Sequence, residues 1–461
     1  MSNIQLLLMS SGVSRLLQLL AGLSFLVVLH EFGHYFFARL FKTRVEKFYL
    51  FFDFMFPFSG LLNFSLFKIK KGDCEYGIGW FPLGGYVKIA GMIDESMDKD
   101  ALAAPPEPWE YRSKKPYQRL FIMLGGIIMN IIVAIVLYGF IFSKWGEQYL
   151  SLNKMPYGVA VDSIGQSIGL KSGDRIRGVD GKKLDRFEQI PLALILHNEN
   201  GTVEITRNGK DTVISIPHGI VDKIIKKKRA DLMIPRLFAV VDSVGAVSIA
   251  NTAGMKKNDS IIAVNGQPVQ FWDQVSVMIK GNYGKPLTFT FVRNGAIDSV
   301  TATIPKDSTF GTYYPPRSRY YTDDSIRYGL FDGMARGFTY SWDQFIVYVS
   351  QFKLFFNKEV NVNDSLGGFG SMAKMYAPVF DWKAFLLMTA FISIALAFMN
   401  LLPIPGLDGG YVLFLLFEMI SGRKVSERVM EISTTVGLVL LLAMMVYFNG
   451  LDVLRWLHLK H

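Results

Sequence analysis

Residues Leu16–Leu40 read LLQLLAGLSFLVVLHEFGHYFFARL, an apolar run that carries His30, Glu31 and His34 in its second half. A helix of about 20 apolar residues is enough to cross a bilayer. Ionisable groups inside such a span are unfavourable unless they have partners, so they mark function by default. On a helix, positions i and i+4 share one face, and both imidazoles can reach a single metal ion. Glu31 is rotated off that line yet stays near enough to exchange a proton with a water on that metal. Soluble zinc proteases share His-Glu-x-x-His, but the chain has only six histidines, so a chance match is rare. The location inside the span sharpens the inference.

Three further apolar stretches follow: Leu120–Ser143, Trp382–Leu402 and Ile432–Leu451. The first stretch leads straight into its polar cluster with no small-residue cleavage site, and is expected to be retained rather than removed as a signal. The chain is 461 residues long, 50% hydrophobic and only 19% charged. Soluble domains are about 25% charged, so disorder is excluded and insertion in a membrane is indicated. The net charge of +10 needs no nucleic acid, because cytoplasmic loops of membrane proteins collect Lys and Arg. Lys42, Arg44 and Lys47 follow the first span, Arg112, Lys114, Lys115 and Arg119 precede the second, and Arg423, Lys424 and Arg428 separate the last two. These loops are expected in the cytoplasm, with both termini and the segment from about 145 to 380 outside.

With one cysteine, Cys74, the chain has no thiolate cluster, and a metal must sit on His and carboxylate. Zinc chemistry needs a third protein ligand and an open position. His197, His218, His458 and His461 lie in the exported segment or at the C-terminus. The candidate is Asp408 in NLLPIPGLDGG, Asn400–Gly410, where two prolines break the helix and two glycines permit close packing. A broken helix at membrane depth is tolerated where it lines a polar site.

The exported segment contains an internal echo. VDSIGQSIGLKSGDRIRGVDGKKL, Val161–Leu184, is answered by VDSVGAVSIANTAGMKKNDSIIAVNGQPV, Val241–Val269. Both lead to an Asp, a short strand and an Asp-Gly or Asn-Gly turn, and two later hairpins turn on Asn-Gly. The segment resembles two tandem PDZ domains of the bacterial, circularly permuted kind. Near the first span, residues 48–69 are too broken by Pro57 and Gly60 for a clean helix, and Tyr76–Met92 reads as strands with glycine bends. Apolar non-helical backbone of this kind is expected to dip into the membrane against the spanning helices. An extended substrate needs partners for its backbone, and edge pairing on these strands would supply them, with Gly84 and Gly85 allowing close approach beside Tyr86. Leu330–Phe356 is amphipathic and aromatic, and suits either an interfacial helix or a helix packed on the exported domains.

HEFGH, GGYVKIAGMIDE and NLLPIPGLDGG together make the chain similar to the intramembrane site-2 zinc metalloprotease family, in its bacterial regulator of sigma-E protease type. The resemblance covers nearly the whole chain. It implies one Zn2+ on His30, His34 and Asp408, Glu31 as catalytic base, Asn400 near the reacting carbonyl, and Pro403 and Pro405 shaping the substrate site. It also implies single-pass membrane substrates trimmed beforehand by another protease, a bacterial inner membrane as the setting, and no nucleic-acid partner. GGIIMN, Gly125–Asn130, departs from the Gly-Pro that many relatives carry before that Asn, and SLGGFG, Ser365–Gly370, lacks a common proline. A catalytically silent scaffold and a metal transporter are the competing readings. Glu31 and the want of a fourth protein ligand stand against the first, and the clustering of polar groups at one depth against the second.

The expected architecture is an α-helical polytopic membrane protein with four transmembrane helices, a membrane-associated β segment and two exported PDZ domains. Its divisions are 1–47 (first helix), 48–116 (β segment and loop), 117–144 (second helix), 155–230 and 231–306 (PDZ-like), 307–380 (linker and interfacial helix), 381–420 (third helix) and 421–461 (fourth helix).

Overall fold

The apolar run around the two histidines forms a single helix, α1 (Asn3–Leu40), which stops where Lys42 turns into the left-handed region at φ +54°. A computed structural model describes residues 3–53, 62–92, 105–197, 200–226, 232–354 and 367–457. Further along lie α2 (Pro116–Trp145), α3 (Leu330–Leu354), α4 (Phe369–Met375), α5 (Trp382–Leu401), α6 (Asp408–Ser421) and α7 (Glu427–Trp456). Local chemistry sets their ends. Pro116 occupies the first turn of α2, where its missing N–H is no loss, and Asp381 caps α5 by accepting from the Ala384 N–H at 2.8 Å. Gly422 ends α6 at φ +68°. Among the described residues, four helices are long and apolar enough to cross a membrane: Ser11–Leu40, Pro116–Trp145, Trp382–Leu401 and Arg428–Trp456. They coincide with the four stretches expected from the sequence.

The chain divides into two compact units. One contains the described residues up to Gly146, Arg327–Lys353 and those after residue 366; the other is built on Glu147–Ile326. In the first, α2 is the hub and packs against α1, α5 and α6. Its contact with α1 is backbone to backbone. A Cβ on Gly33 would fall 2.1 Å from the Gly125 carbonyl oxygen, and one on Gly125 would fall 2.5 Å from that of Gly33. Small residues of this kind let membrane helices pack without a hydrophobic driving force. Farther along α2, Gly139 receives α3: a Cβ on Gly337 would lie 2.5 Å from the Gly139 nitrogen, and the Tyr138 and Tyr340 rings meet at 4.8 Å. The aromatic helix therefore docks on α2 while Phe331, Phe338 and Trp342 stay exposed.

Four strands follow α1: β1 (Val45–Phe52), β2 (Ser65–Lys71), β3 (Cys74–Gly79) and β4 (Phe81–Ile89). They form one sheet in the order β2-β3-β1-β4. Strand β1 begins at Val45, so residues 45–47 belong to the sheet rather than to the first helix. The expected β segment is a sheet in which β1 and β3 run parallel. Residues 54–61, which include Pro57 and Gly60, lie outside the described residues.

The second unit holds β5 (Glu147–Tyr149), β6 (Val159–Val161), β7 (Arg175–Val179), β8 (Lys182–Lys183), β9 (Thr202–Arg207) and β10 (Lys210–Ser215). It continues with β11 (Met233–Pro235), β12 (Ser243–Val244), β13 (Ser260–Val264), β14 (Gln267–Pro268), β15 (Pro286–Arg293), β16 (Ala296–Thr303), β17 (Thr312–Tyr313) and β18 (Asp324–Ile326). The two echoing segments carry sheets of equivalent order, β10-β9-β7-β8 and β16-β15-β13-β14. Asp180, Asn208, Asn265 and Asn294 all take positive φ before a glycine, as tight hairpin turns require. Asp174 and Asp259 are buried in matching roles. Each accepts the N–H of Lys171 or Lys256, at 2.8 and 2.7 Å, and a forked pair of bonds from Arg207 or Arg293. Strand pairing moves the boundaries expected at 230 and 306: β11 returns to β6, and β17 pairs with β12. A short strand gains stability only beside a partner, and here the partner comes from later in the chain. Strands β5 and β18 pair where the unit begins and ends.

Candidate metal centre

His30 and His34 project from one face of α1, and their Nε2 atoms lie 3.2 Å apart. Asp408, at the first position of α6, brings Oδ2 to 3.2 Å from His30 Nε2 and 3.4 Å from His34 Nε2. The loop that delivers it begins where α5 stops before Pro403. Gly406 takes φ +92°, and Gly409 and Gly410 leave room for backbone: a Cβ on Gly409 would lie 2.2 Å from the Leu402 carbonyl oxygen. Two histidines four residues apart and a carboxylate 374 residues beyond the second thus meet with 10–16% of their surface exposed.

The triangle fits a metal on its own geometry. Tetrahedral zinc with bonds of ~2.0–2.1 Å holds its ligand atoms roughly 3.3 Å apart. Asp408 Oδ2 is buried with no hydrogen-bond donor, the state expected of an oxygen meant for a cation. Among the described residues this is the group of three His, Cys, Asp or Glu side chains whose donor atoms converge. His34 Nδ1 donates to the Ile122 carbonyl at 2.8 Å, which leaves Nε2 free to ligate.

The other expected site residues fall into two groups. Asn400 closes the centre, with Nδ2 at 3.4 Å from His30 Nε2, and Glu31 is set against the Val87 backbone of β4. Strand β4 is an edge of its sheet and carries Gly84, Gly85 and Tyr86. A Cβ on Gly85 would lie 3.0 Å from Val27 Cγ1, so glycine lets the strand rest on α1 one turn before His30. Tyr86, expected on the edge that pairs with substrate, has its side chain engaged within the sheet. Its ring stacks on Tyr49 at 5.4 Å and Phe52 at 6.0 Å, and its hydroxyl donates to Asp53 at 2.9 Å. Pro403 is exposed, and Pro405 turns its carbonyl to α7, where a Cβ on Gly437 would lie 1.6 Å away. His197 and His218 belong to the second unit, and His458 and His461 lie outside the described residues.

Sequence reasoning missed the wall behind the histidines. A Cβ on Gly126 would lie 2.3 Å from His30 Cε1, and Asn130 Nδ2 sits 3.2 Å from His30 Nδ1. The signal was the spacing of four residues within GGIIMN, which puts both on one face of α2. We expect Gly126→Ala to displace the His30 ring and weaken zinc binding at least tenfold in chelator competition, with the helical circular dichroism unchanged. Unaltered affinity would remove the ring cradle from the account.

Comparison with known proteins agrees with this geometry. The description of peptidase family M50 matches residues 18–444. A putative zinc metalloprotease of Neisseria meningitidis serogroup A is 30% identical, over 96% of this chain and 99% of its own length. The regulator of sigma-E protease RseP of Escherichia coli K12 and protease RseP of Yersinia pestis are each 28% identical, over 92% of this chain and 95% of theirs. The chain belongs to peptidase family M50 and is a zinc metalloprotease of the site-2 type.

Proposed function

We propose that this protein hydrolyses a peptide bond inside the transmembrane segment of single-pass membrane proteins, using one Zn2+ held by His30, His34 and Asp408. The observation that carries the reading is the convergence of those three ligand atoms at 3.2–3.4 Å within a unit of membrane-length apolar helices. Zinc bound there would lower the pKa of a water in its open position, so that hydroxide would be available at neutral pH. Glu31 takes the proton of that water as it attacks the scissile carbonyl, then hands it to the leaving amine. Asn400 presents an amide N–H beside the centre and stabilises the oxygen on which negative charge develops. Pro403 and Pro405 hold the adjoining turn in shape, because each fixes its own φ.

A helical substrate keeps its carbonyls in i→i−4 hydrogen bonds, so it must open before water can attack. Strand β4 offers replacement partners along the edge that no described strand pairs, and Glu31 lies against that strand at Val87. Gly84 stands at φ +147°, a conformation closed to other residues, and a Cβ there would lie 2.6 Å from the Phe52 ring. The chain sits in a bacterial inner membrane, with the metal centre toward the cytoplasm by the charge of the flanking loops. The second unit, Glu147–Ile326, acts as two PDZ-like domains on the periplasmic side, the first including β11 and the second β17. There they exclude substrates whose exported part has not yet been trimmed by another protease. The family resemblance points to an anti-sigma factor as one such substrate, and remnant signal peptides have the same chemistry.

Three outcomes test this. Glu31→Gln should retain zinc and lose proteolysis by at least a thousandfold, measured on a purified single-pass substrate in detergent; a variant that still cleaves rules out Glu31 as the base. Gly84→Ala should lower turnover about tenfold with zinc content intact, and normal turnover would reject edge pairing on β4. Deleting residues 155–305 should admit untrimmed substrate in vesicles; if intact substrate stays uncut, the filter role fails.

A further inference from the structure

We infer that Asn130 is the positioning residue of the metal centre, its side-chain oxygen accepting the Nδ1–H of His30 and so fixing the tautomer that ligates. The inference rests on the proposed zinc site. Nε2 is the His30 atom that faces His34 and Asp408, each at 3.2 Å. A ring nitrogen binds a cation through its lone pair, so the hydrogen must then reside on Nδ1. The group met by Nδ1 is the Asn130 amide, with Nδ2 at 3.2 Å. Two N–H groups cannot bond each other, while Asn130 Oδ1 lies buried without a donor. A half-turn of the amide brings that oxygen onto Nδ1–H and replaces the mismatch with a hydrogen bond.

The rest of the site keeps Asn130 where this demands. Asn130 is fully buried, and its main-chain carbonyl accepts from Ser393 of α5 at 2.7 Å. Gly126, one turn earlier on α2, backs the same imidazole. Helix α2 thus holds both histidines by their outer nitrogens, but in different ways. His34 uses the Ile122 carbonyl, which no substitution removes. His30 depends on a side chain, so its orientation can be altered by mutation.

The test uses the full-length chain in detergent, with Zn2+ in chelator competition and Co2+ as a paramagnetic substitute. Removing such an outer partner typically weakens metal binding about 10- to 100-fold. Asn130→Ala should show that loss, whereas Asn130→Asp, which only accepts hydrogen bonds, should bind zinc near the wild-type level. In the Co2+ form, wild type should give two slowly exchanging, shifted imidazole N–H signals, and Asn130→Ala only the one from His34. Wild-type affinity and both signals in Asn130→Ala would overturn the inference, as would equal losses in the Ala and Asp variants. Wild-type zinc binding that survives His30→Ala would instead overturn the metal site itself.

Discussion

Two imidazoles and a carboxylate converge in a unit whose helices are long and apolar enough to cross a membrane, and a shared cation would satisfy all three at once. Asp408 Oδ2 is the clearest expression of this constraint, buried and without a donor. Much of the first unit serves to hold that oxygen against α1. The prolines after Leu402 end α5, the glycines after Asp408 let α6 start beside the turn, and α2 lies between α6 and α1. Arg119 of α2 and Glu418 of α6 form a buried ion pair at 2.6 Å. Breaking a buried pair from one side leaves a charge uncompensated, at about 3–5 kcal/mol, so this contact fixes the two helices together. The glycine contact of Gly33 with Gly125 does the same for α1 and α2.

The components that carry chemistry were legible in the sequence because they are local. His30 and His34 are one helical turn apart, the prolines and glycines around Asp408 announce a break, and the apolar lengths give four spans. The Asx-Gly turns of the second unit were equally plain, since their positive φ is a property of the dipeptide. What the sequence hid was pairing at long range. Nothing in Val45–Phe52 indicates that β3 will lie parallel to it, and nothing in Met233–Pro235 that it will return to β6. Gly333 and Gly337 gave α3 its face for α2, but the same spacing suits many partners.

The site itself was half legible for a related reason. Ligands declare themselves by residue type, whereas the groups that orient them are ordinary: a glycine, an amide, a main-chain carbonyl. Tyr86 lies beside two glycines on the edge strand, and there its ring stacks with Tyr49 and Phe52 and its hydroxyl donates to Asp53. Burial of a large apolar surface outweighs exposure on a sheet edge.

Zinc K-edge X-ray absorption on the purified chain tests the central claim most directly. The account requires two imidazole nitrogens and light oxygen ligands at ~2.0–2.1 Å, with the oxygen contribution altered by Asp408→Ala and one imidazole lost in His34→Ala. A spectrum without imidazole scattering, or one that Asp408→Ala leaves unchanged, would contradict it.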